Sequence, residues 1–133
     1  MQQSSSILAL DVGHKRIGVA IADAIARLPR PLTTIEVDEE VLKKIADLAA
    51  EHNANELVVG LPRGLEGQST DQTKYSEDFV RRLKQKTGLL VHMQDEAVTS
   101  AQAEEELRQR GKPYVKGDID ALAATYILED FLR

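Results

Sequence analysis

The pattern of apolar and polar residues predicts a β-hairpin at the start of the chain. Residues 6–11 alternate imperfectly between the two classes, and residues 17–22, IGVAIA, are almost wholly apolar, so each segment is typical of a strand. The short connection between them includes a glycine and fits a hairpin loop. β-Branched residues at 32–37 predict a third strand, and Pro29 and Pro31 are expected to interrupt regular structure before it. We therefore expect strands one to three to form an antiparallel meander.

The remainder of the chain switches between helical and strand patterns. The short apolar run at 56–60 predicts a central strand covered on both faces, and residues 89–93 predict a fifth strand. Apolar residues at helical spacing predict helices at 39–52, about 70–86 and about 118–132, and the capping-box spacing of Thr99 and Gln102 predicts another at about 99–111. This order predicts one α/β domain over residues 1–133. Its five-stranded mixed sheet would have antiparallel strands one to three, parallel strands four and five, and helices on both faces.

Acidic residues lie where the predicted elements end. Asp11 ends strand one, Asp95 and Glu96 directly follow strand five, and Asp118 and Asp120 open the last helix. Ligands of an open α/β sheet gather outside the carboxyl ends of its strands. Asp11 and Glu96 are therefore expected to meet if strands one, four and five are parallel neighbours.

Helical spacing distinguishes the two Asp residues of the last helix. Asp120 shares one stripe with Ala124, Ile127 and Phe131, so it is predicted to face the sheet. Asp118 lies roughly 200° around the helix from it and is interpreted as an N-cap. Asp120 is therefore the candidate for a site shared with Asp11 and Glu96.

Three converging carboxylates repel one another, and a divalent cation offsets their charge. Mg²⁺ (or Mn²⁺) takes oxygen ligands and pairs with phosphate substrates. Two such ions about 4 Å apart can activate a water and stabilise the leaving oxygen in phosphodiester cleavage. Asp11, Glu96 and Asp120 are therefore candidate metal ligands and catalytic residues. For Asp11 taken alone, a turn-forming role after the strand is the alternative.

Basic residues flank the predicted acidic site. Lys15 and Arg16 follow Asp11 in the hairpin loop, and Arg63 follows strand four at the same edge. Lys and Arg position a nucleic-acid backbone without reading its sequence, so these three are candidate nucleic-acid contacts. Solvated surface charge is the alternative. The chain has three Tyr, two Phe and no Trp, so extensive base stacking is not expected.

Bulk composition narrows the class of protein. The 133 residues are 42% hydrophobic and 29% charged with a net charge of -5, which fits an ordinary globular domain. The absence of Cys excludes disulfides and thiolate metal sites. No apolar run approaches the roughly 18 residues of a membrane span, and the polar start MQQSSS lacks a signal-peptide pattern. We expect a cytoplasmic protein, with no membrane partner, whose residues 1–5 form a disordered tail.

Four sequence blocks together resemble the YqgF (RuvX) family of RNase H-like nucleases over about residues 6–132. In the family's order they are ALDVGHKRIGVAIAD, LVVGLPRGLEG, DEAVTS and DIDALAATYIL. The resemblance implies an RNase H-like fold and an acidic site on Asp11, Glu96 and Asp120. It also implies a bacterial cytoplasmic role in maturing the 5′ end of 16S ribosomal RNA, in contact with the small ribosomal subunit. Ala97 stands where the family usually has Arg, and Ser100 replaces a Thr.

Several functions are compatible with these features. The preferred one is a Mg²⁺-dependent nuclease acting on ribosomal RNA precursors. A Holliday-junction resolvase with the same chemistry on DNA is the alternative; it would be favoured by a stable homodimer rather than a monomer, because resolvases make paired symmetric cuts. A non-catalytic RNA-binding ribosome-assembly factor is the third, supported by Ala97. An actin-like or sugar-kinase ATPase would need a second domain, for which 133 residues leave no room.

Overall fold

A five-stranded mixed sheet forms the centre of the computed structural model, which describes residues 5–96 and 100–133. Ala97 and the first four residues of the expected tail lie outside them. The strands are β1 (Ser6–Val12), β2 (Arg16–Asp23), β3 (Arg30–Glu36), β4 (Ala54–Pro62) and β5 (Leu90–Glu96). The helices are α1 (Val41–Glu51), α2 (Asp71–Thr87), α3 (Ser100–Gln109) and α4 (Lys116–Leu132).

The strand order is β3-β2-β1-β4-β5. β2 runs antiparallel to both β1 and β3, whereas β4 is parallel to its neighbours β1 and β5. The predicted antiparallel meander is therefore confirmed. β1, β4 and β5 are parallel neighbours, which is the condition for their carboxyl ends to meet at one edge.

Helices cover both faces of the sheet. Leu8 of β1 packs with Ile45 in the core beneath α1 and α2, and Ala9 packs with Ala124 in the core beneath α4. Successive residues of a strand point to opposite faces, so the side chain of Asp11 lies on the α4 face with that of Ala9. Because of its place in β1, Asp11 points its charged side chain toward α4 near the end of a buried strand.

Helix α3 packs against α4. Ala103 and Leu107 of α3 are buried with Leu122 and Ala123 of α4. The hydroxyl of Tyr126 also donates a hydrogen bond to Glu106 Oε1 at 2.8 Å. Within residues 5–96 and 100–133, no helix combines the length and apolar character that crossing a membrane requires.

Three predictions about element boundaries on the sheet were wrong. β1 continues to Val12, so Asp11 lies inside the strand, and Glu96 is the last residue of β5 instead of following it. Pro31 lies within β3, where it was expected to interrupt regular structure. β3 is an edge strand, which tolerates a residue without an N–H, and the pairing with β2 shifts register beside Pro31.

Helix α4 begins at Lys116, two residues earlier than predicted. Asp118 is consequently inside the first turn, and Val115 occupies the N-cap position. The N–H of Val115 donates to the Asp118 carboxylate at 2.9 Å. The prediction that Asp118 is the N-cap was therefore wrong, because α4 begins earlier and Asp118 bonds the N–H of the N-cap residue from the third helical position.

Candidate active site at the carboxyl edge of the sheet

Asp11 occupies an electrostatically unfavourable position on the α4 face. Its register partner across the hairpin is Gly18 of β2. Burial, and after it the negative charge of Asp120, raises the pKa of Asp11 from its ordinary 3.8 to about 6. This shift corresponds to on the order of 3 kcal/mol against the charged form. The fold therefore keeps a carboxylate where a positive charge would be strongly favoured.

Two close contacts seat the first turn of α4 on the sheet. A Cβ at Gly18 would collide with the backbone carbonyl of Asp120, so only glycine leaves room for the helix there. The hydroxyl of Thr34, on β3, donates to the carbonyl oxygen of Gly117 at 2.5 Å. Together β2 and β3 hold α4 in the position that brings Asp120 beside Asp11.

Asp120 forms an ion pair with Arg16. The guanidinium Nε donates to Asp120 Oδ2 at 2.6 Å, and the two side chains are 35% and 16% exposed. Arg16 lies two residues before Gly18 on β2, so both are on the α4 face. The prediction that Asp120 points toward the sheet agrees with this contact, whereas Asp118 is engaged at the helix start.

Glu96 lies on the same face at the end of β5 and is only 8% exposed. His92, four residues earlier on that strand, stacks its ring on Phe131 of α4, with 4.8 Å between centroids. Among the described residues, however, no group of three or more His, Asp or Glu side chains is placed to hold a metal ion. The structure thus brings Asp11 and Asp120 together and leaves Glu96 near the same edge without completing such a group.

The three predicted basic contacts differ in whether an acidic side chain already binds them. Lys15 is exposed at the tip of the hairpin. Arg63 follows β4 and donates from Nε and a terminal nitrogen to Asp95 Oδ1, at 3.1 and 3.0 Å. Arg16 is bound to Asp120. Both arginines are thus held by acids of this edge, and Lys15 presents its charge to solvent.

His14 joins the hairpin to helix α2. Its ring lies against Tyr75 with 4.0 Å between centroids, and its Nε2 is 3.1 Å from Gln72 Oε1. The Gln72 amide in turn donates to the carbonyl of Val12 at 3.1 Å. These contacts fix the loop that carries Lys15.

Sequence reasoning missed Gly18 and Gln72, and it noted Asp95 at the end of strand five without predicting its ion pair with Arg63. A glycine inside an otherwise apolar strand signals the close approach of another backbone, so Gly18 could have been identified. Gln72 carries no comparable signal, and neither does the choice of Arg63 as the partner of Asp95, because these partners come from distant parts of the chain.

Comparison with known proteins settles the family. The family model described as "RuvX: Holliday junction resolvase" matches residues 5–133. This chain belongs to the RuvX family. A relative from Sulfurihydrogenibium sp. (strain YO3AOP1), named "Putative pre-16S rRNA nuclease", is 40% identical over 130 residues, covering 96% of this chain and 90% of the relative. A relative of the same name from Chloroflexus aurantiacus is 44% identical over 130 residues, covering 95% and 85%.

Two solved structures share the fold of this RuvX chain. T. thermophilus RuvC in complex with a Holliday junction substrate has a TM-score of 0.55 at 15% identity, covering 96% of this chain and 93% of that one. Fowlpox virus resolvase in complex with Holliday junction DNA has a TM-score of 0.56 at 15% identity, covering 96% of each. At these identities the likeness is one of fold, and it confirms the RNase H-like architecture.

The raised pKa of Asp11 predicts how stability depends on pH in EDTA. Between pH 4 and 6 the unfolded chain releases the Asp11 proton while the folded protein retains it, so stability falls as pH rises through this window. Asp11→Asn removes this loss. The variant should match the native protein near pH 4 and exceed its free energy of unfolding at pH 7.5 by up to about 3 kcal/mol. Urea unfolding across this pH range measures the difference.

A surface carboxylate provides the control for net charge. Asp47 is exposed on α1 and pairs with Lys43 at 3.1 Å. Asp47→Asn should give no comparable gain between pH 4 and 7.5, since exposed pairs contribute little. A flat difference between native protein and Asp11→Asn over the whole range would mean that Asp11 is not held in an unfavourable environment.

Proposed function

We propose that this RuvX chain is a divalent-metal-dependent nuclease that hydrolyses phosphodiester bonds during 5′-end maturation of the 16S ribosomal RNA precursor. Membership of the family supports the nuclease class, and the names of its relatives support the RNA substrate. The observation that carries the proposal is the coupled pair of Asp11 and Asp120 at the carboxyl edge of the sheet. The bacterial cytoplasm and the small ribosomal subunit are the setting that this substrate implies.

The donor chemistry of the site fits Mg²⁺ or Mn²⁺. Asp11, Asp120 and Glu96 offer carboxylate oxygens, which these cations prefer, and the raised pKa of Asp11 marks a position that positive charge would stabilise. Such a cation, when bound, activates an attacking water and offsets charge on the leaving oxygen. We propose that Glu96 moves toward the Asp11–Asp120 pair to complete the ligand set.

The basic residues position the substrate backbone in this proposal. Lys15 and Arg63 lie at the same edge as the acidic pair, on either side of the end of β1, where a phosphate backbone crossing that edge would meet their charges. Neither residue needs to distinguish bases for this role. Recognition of the precursor would then depend on the shape of the RNA and on its ribosomal context, more than on local sequence.

Lys15→Ala should weaken binding to single-stranded RNA and make it less dependent on salt. Loss of one phosphate contact lowers the slope of log affinity against log salt by about 0.7 for a single strand. Fluorescence anisotropy at several salt concentrations measures the slope. Lys86→Ala is the matched control, because Lys86 lies in the last turn of α2, at the opposite end of that helix from the site. An equal change in both variants would place the RNA surface elsewhere.

Substrate preference tests the proposed activity. The purified protein would be incubated with a 5′-extended 16S precursor, an unrelated RNA strand and a four-way DNA junction, in Mg²⁺, Mn²⁺ or EDTA. We expect cleavage of the precursor in either cation and none in EDTA. Preferential paired cleavage of the junction by a stable dimer would favour the resolvase. RNA binding without any cleavage would favour the non-catalytic assembly factor.

A further inference from the structure

The ion pair between Arg16 and Asp120 has a consequence for cation binding. Asp120 is a proposed metal ligand, yet its Oδ2 already accepts a hydrogen bond from the Arg16 guanidinium at 2.6 Å. A guanidinium and a divalent cation compete for the same carboxylate oxygen, and their positive charges repel at this range. Both cannot occupy Oδ2 in the geometry that the structure shows.

We propose that Arg16 is an internal counter-ion that a divalent cation displaces from Asp120, and that the released guanidinium then binds a phosphate of the RNA. This inference rests on the proposed function. In this proposal Arg16 couples cation binding to RNA binding, so that each ligand raises the affinity of the protein for the other. Without the cation, Asp120 keeps Arg16 away from the phosphates.

The surroundings of Arg16 favour such an exchange. Its side chain is 35% exposed, so solvent and a phosphate can reach it, whereas that of Asp120 is 16% exposed. Arg16 begins β2 directly after the exposed Lys15, which places a second cation beside the released guanidinium. A guanidinium offers several donors in a planar fork and binds phosphate as readily as carboxylate. On the Asp120 side, the exchange can therefore proceed by rotation of the Arg16 side chain, alongside the proposed movement of Glu96.

Arg63 provides a matched comparison at the same edge. It also bonds an acid, with 3.0 Å between its terminal nitrogen and Asp95 Oδ1, but the Asp95 side chain is 70% exposed and Asp95 is not a proposed ligand. Removing Arg63 deletes the same charge from the same region without freeing a ligand. Comparing variants of the two arginines therefore distinguishes competition for Asp120 from a general change in the local electrostatic potential.

Cation affinity without RNA is the first measurement. Electron paramagnetic resonance of free Mn²⁺ would follow binding to the native protein, Arg16→Gln and Arg63→Gln. Arg16→Gln should bind Mn²⁺ about tenfold more tightly than the native protein, which corresponds to about 1.4 kcal/mol. Arg63→Gln should stay close to the native value. Equal or weaker Mn²⁺ binding by Arg16→Gln than by the native protein would overturn the proposal and leave the metal site intact.

The native protein provides a test that does not depend on the folding of a variant. The Nε–H resonance of Arg16, assigned by its loss in Arg16→Lys, should shift and exchange faster with water as Mg²⁺ is added. A resonance that stays unchanged while Mg²⁺ saturates the protein would overturn displacement. If neither Mn²⁺ nor Mg²⁺ binds at all, the proposed metal site fails, and the coupling fails with it.

Affinity for RNA is the last measurement. Anisotropy of a labelled RNA strand would be compared in EDTA and in Ca²⁺, with gels verifying that the strand stays uncut. The native protein should gain more RNA affinity from Ca²⁺ than Arg16→Gln gains, because the variant has no guanidinium to release. An equal gain in both proteins would contradict a role of Arg16 in the coupling.

Discussion

Replacing Asp11 by Asn is expected to lower RNA cleavage in Mg²⁺ by about 10³-fold or more. Asn keeps the shape of the side chain and one acceptor oxygen, but it removes the charge that the proposed cation needs. Most of the rate enhancement in phosphodiester cleavage comes from electrostatic stabilisation of the transition state. Loss of the Asp11 charge is therefore expected to lower the cleavage rate directly. Single-turnover cleavage, corrected for the folded fraction by circular dichroism, measures the effect.

Stability measurements separate a lost ligand from a damaged fold. Mg²⁺ should raise the melting temperature of the native protein by mass action, and Asp11→Asn should lose most of that rise. Without cation the variant should be at least as stable as the native protein at pH 7.5, because burial no longer opposes a charge there. A folded Asp11→Asn protein that cuts RNA at the native rate would end the metal-site hypothesis.

The neighbouring acid on α4 supplies the matched control for this experiment. Asp118 accepts a hydrogen bond from the N–H of Val115 at the helix start and does not share the Asp11 site. Asp118→Asn should therefore retain near-native cleavage, with a small loss of helix stability, whereas Asp120→Asn should fall as far as Asp11→Asn. The opposite ranking of the two α4 variants would transfer the ligand role to Asp118.

The layout of the sheet could be predicted because local patterns determine it. Apolar runs at 56–60 and 89–93 lie within β4 and β5, and the hairpin signal correctly joined the first two strands. The stripe of Asp120, Ala124 and Ile127 oriented Asp120 correctly, although α4 also buries residues on the side that packs against α3. Errors were confined to ends of elements, such as Asp11 inside β1, where pairing with a neighbouring strand extends a segment beyond its own pattern.

The pairing of charges could not be predicted from the sequence. Lys15, Arg16 and Arg63 are equivalent as basic residues near an acidic motif, and only the fold distinguishes them. Arg16 meets Asp120 across 104 positions of the chain, and Arg63 meets Asp95 across 32. Which acid takes which cation depends on strand register and on how closely α4 approaches β2. Those distances are set by packing rather than by the type of residue.

The close approach of α4 to β2 underlies the second large prediction, which concerns Gly18. Gly18→Ala is expected to destabilise the protein by about 3 kcal/mol or more, because the added methyl group would collide with the backbone of Asp120. A backbone carbonyl in the first turn of a helix cannot rotate aside, so α4 must move away from β2. Chemical denaturation at neutral pH measures the loss, and the folded fraction should also lose cleavage, since Asp120 moves with the helix.

Gly60→Ala is the matched control for Gly18→Ala. A Cβ at Gly60 would meet the same helix, but its nearest neighbours there are side-chain carbons of Ile127, at 2.5 and 2.9 Å. An isoleucine side chain can change rotamer, so the expected loss is smaller, about 1–2 kcal/mol. If Gly18→Ala instead unfolded at the native denaturant midpoint, α4 would not be seated on β2 as the structure shows. Asp120 would then have no fixed position beside Asp11, and the acidic pair that carries the proposed function would lose its structural basis.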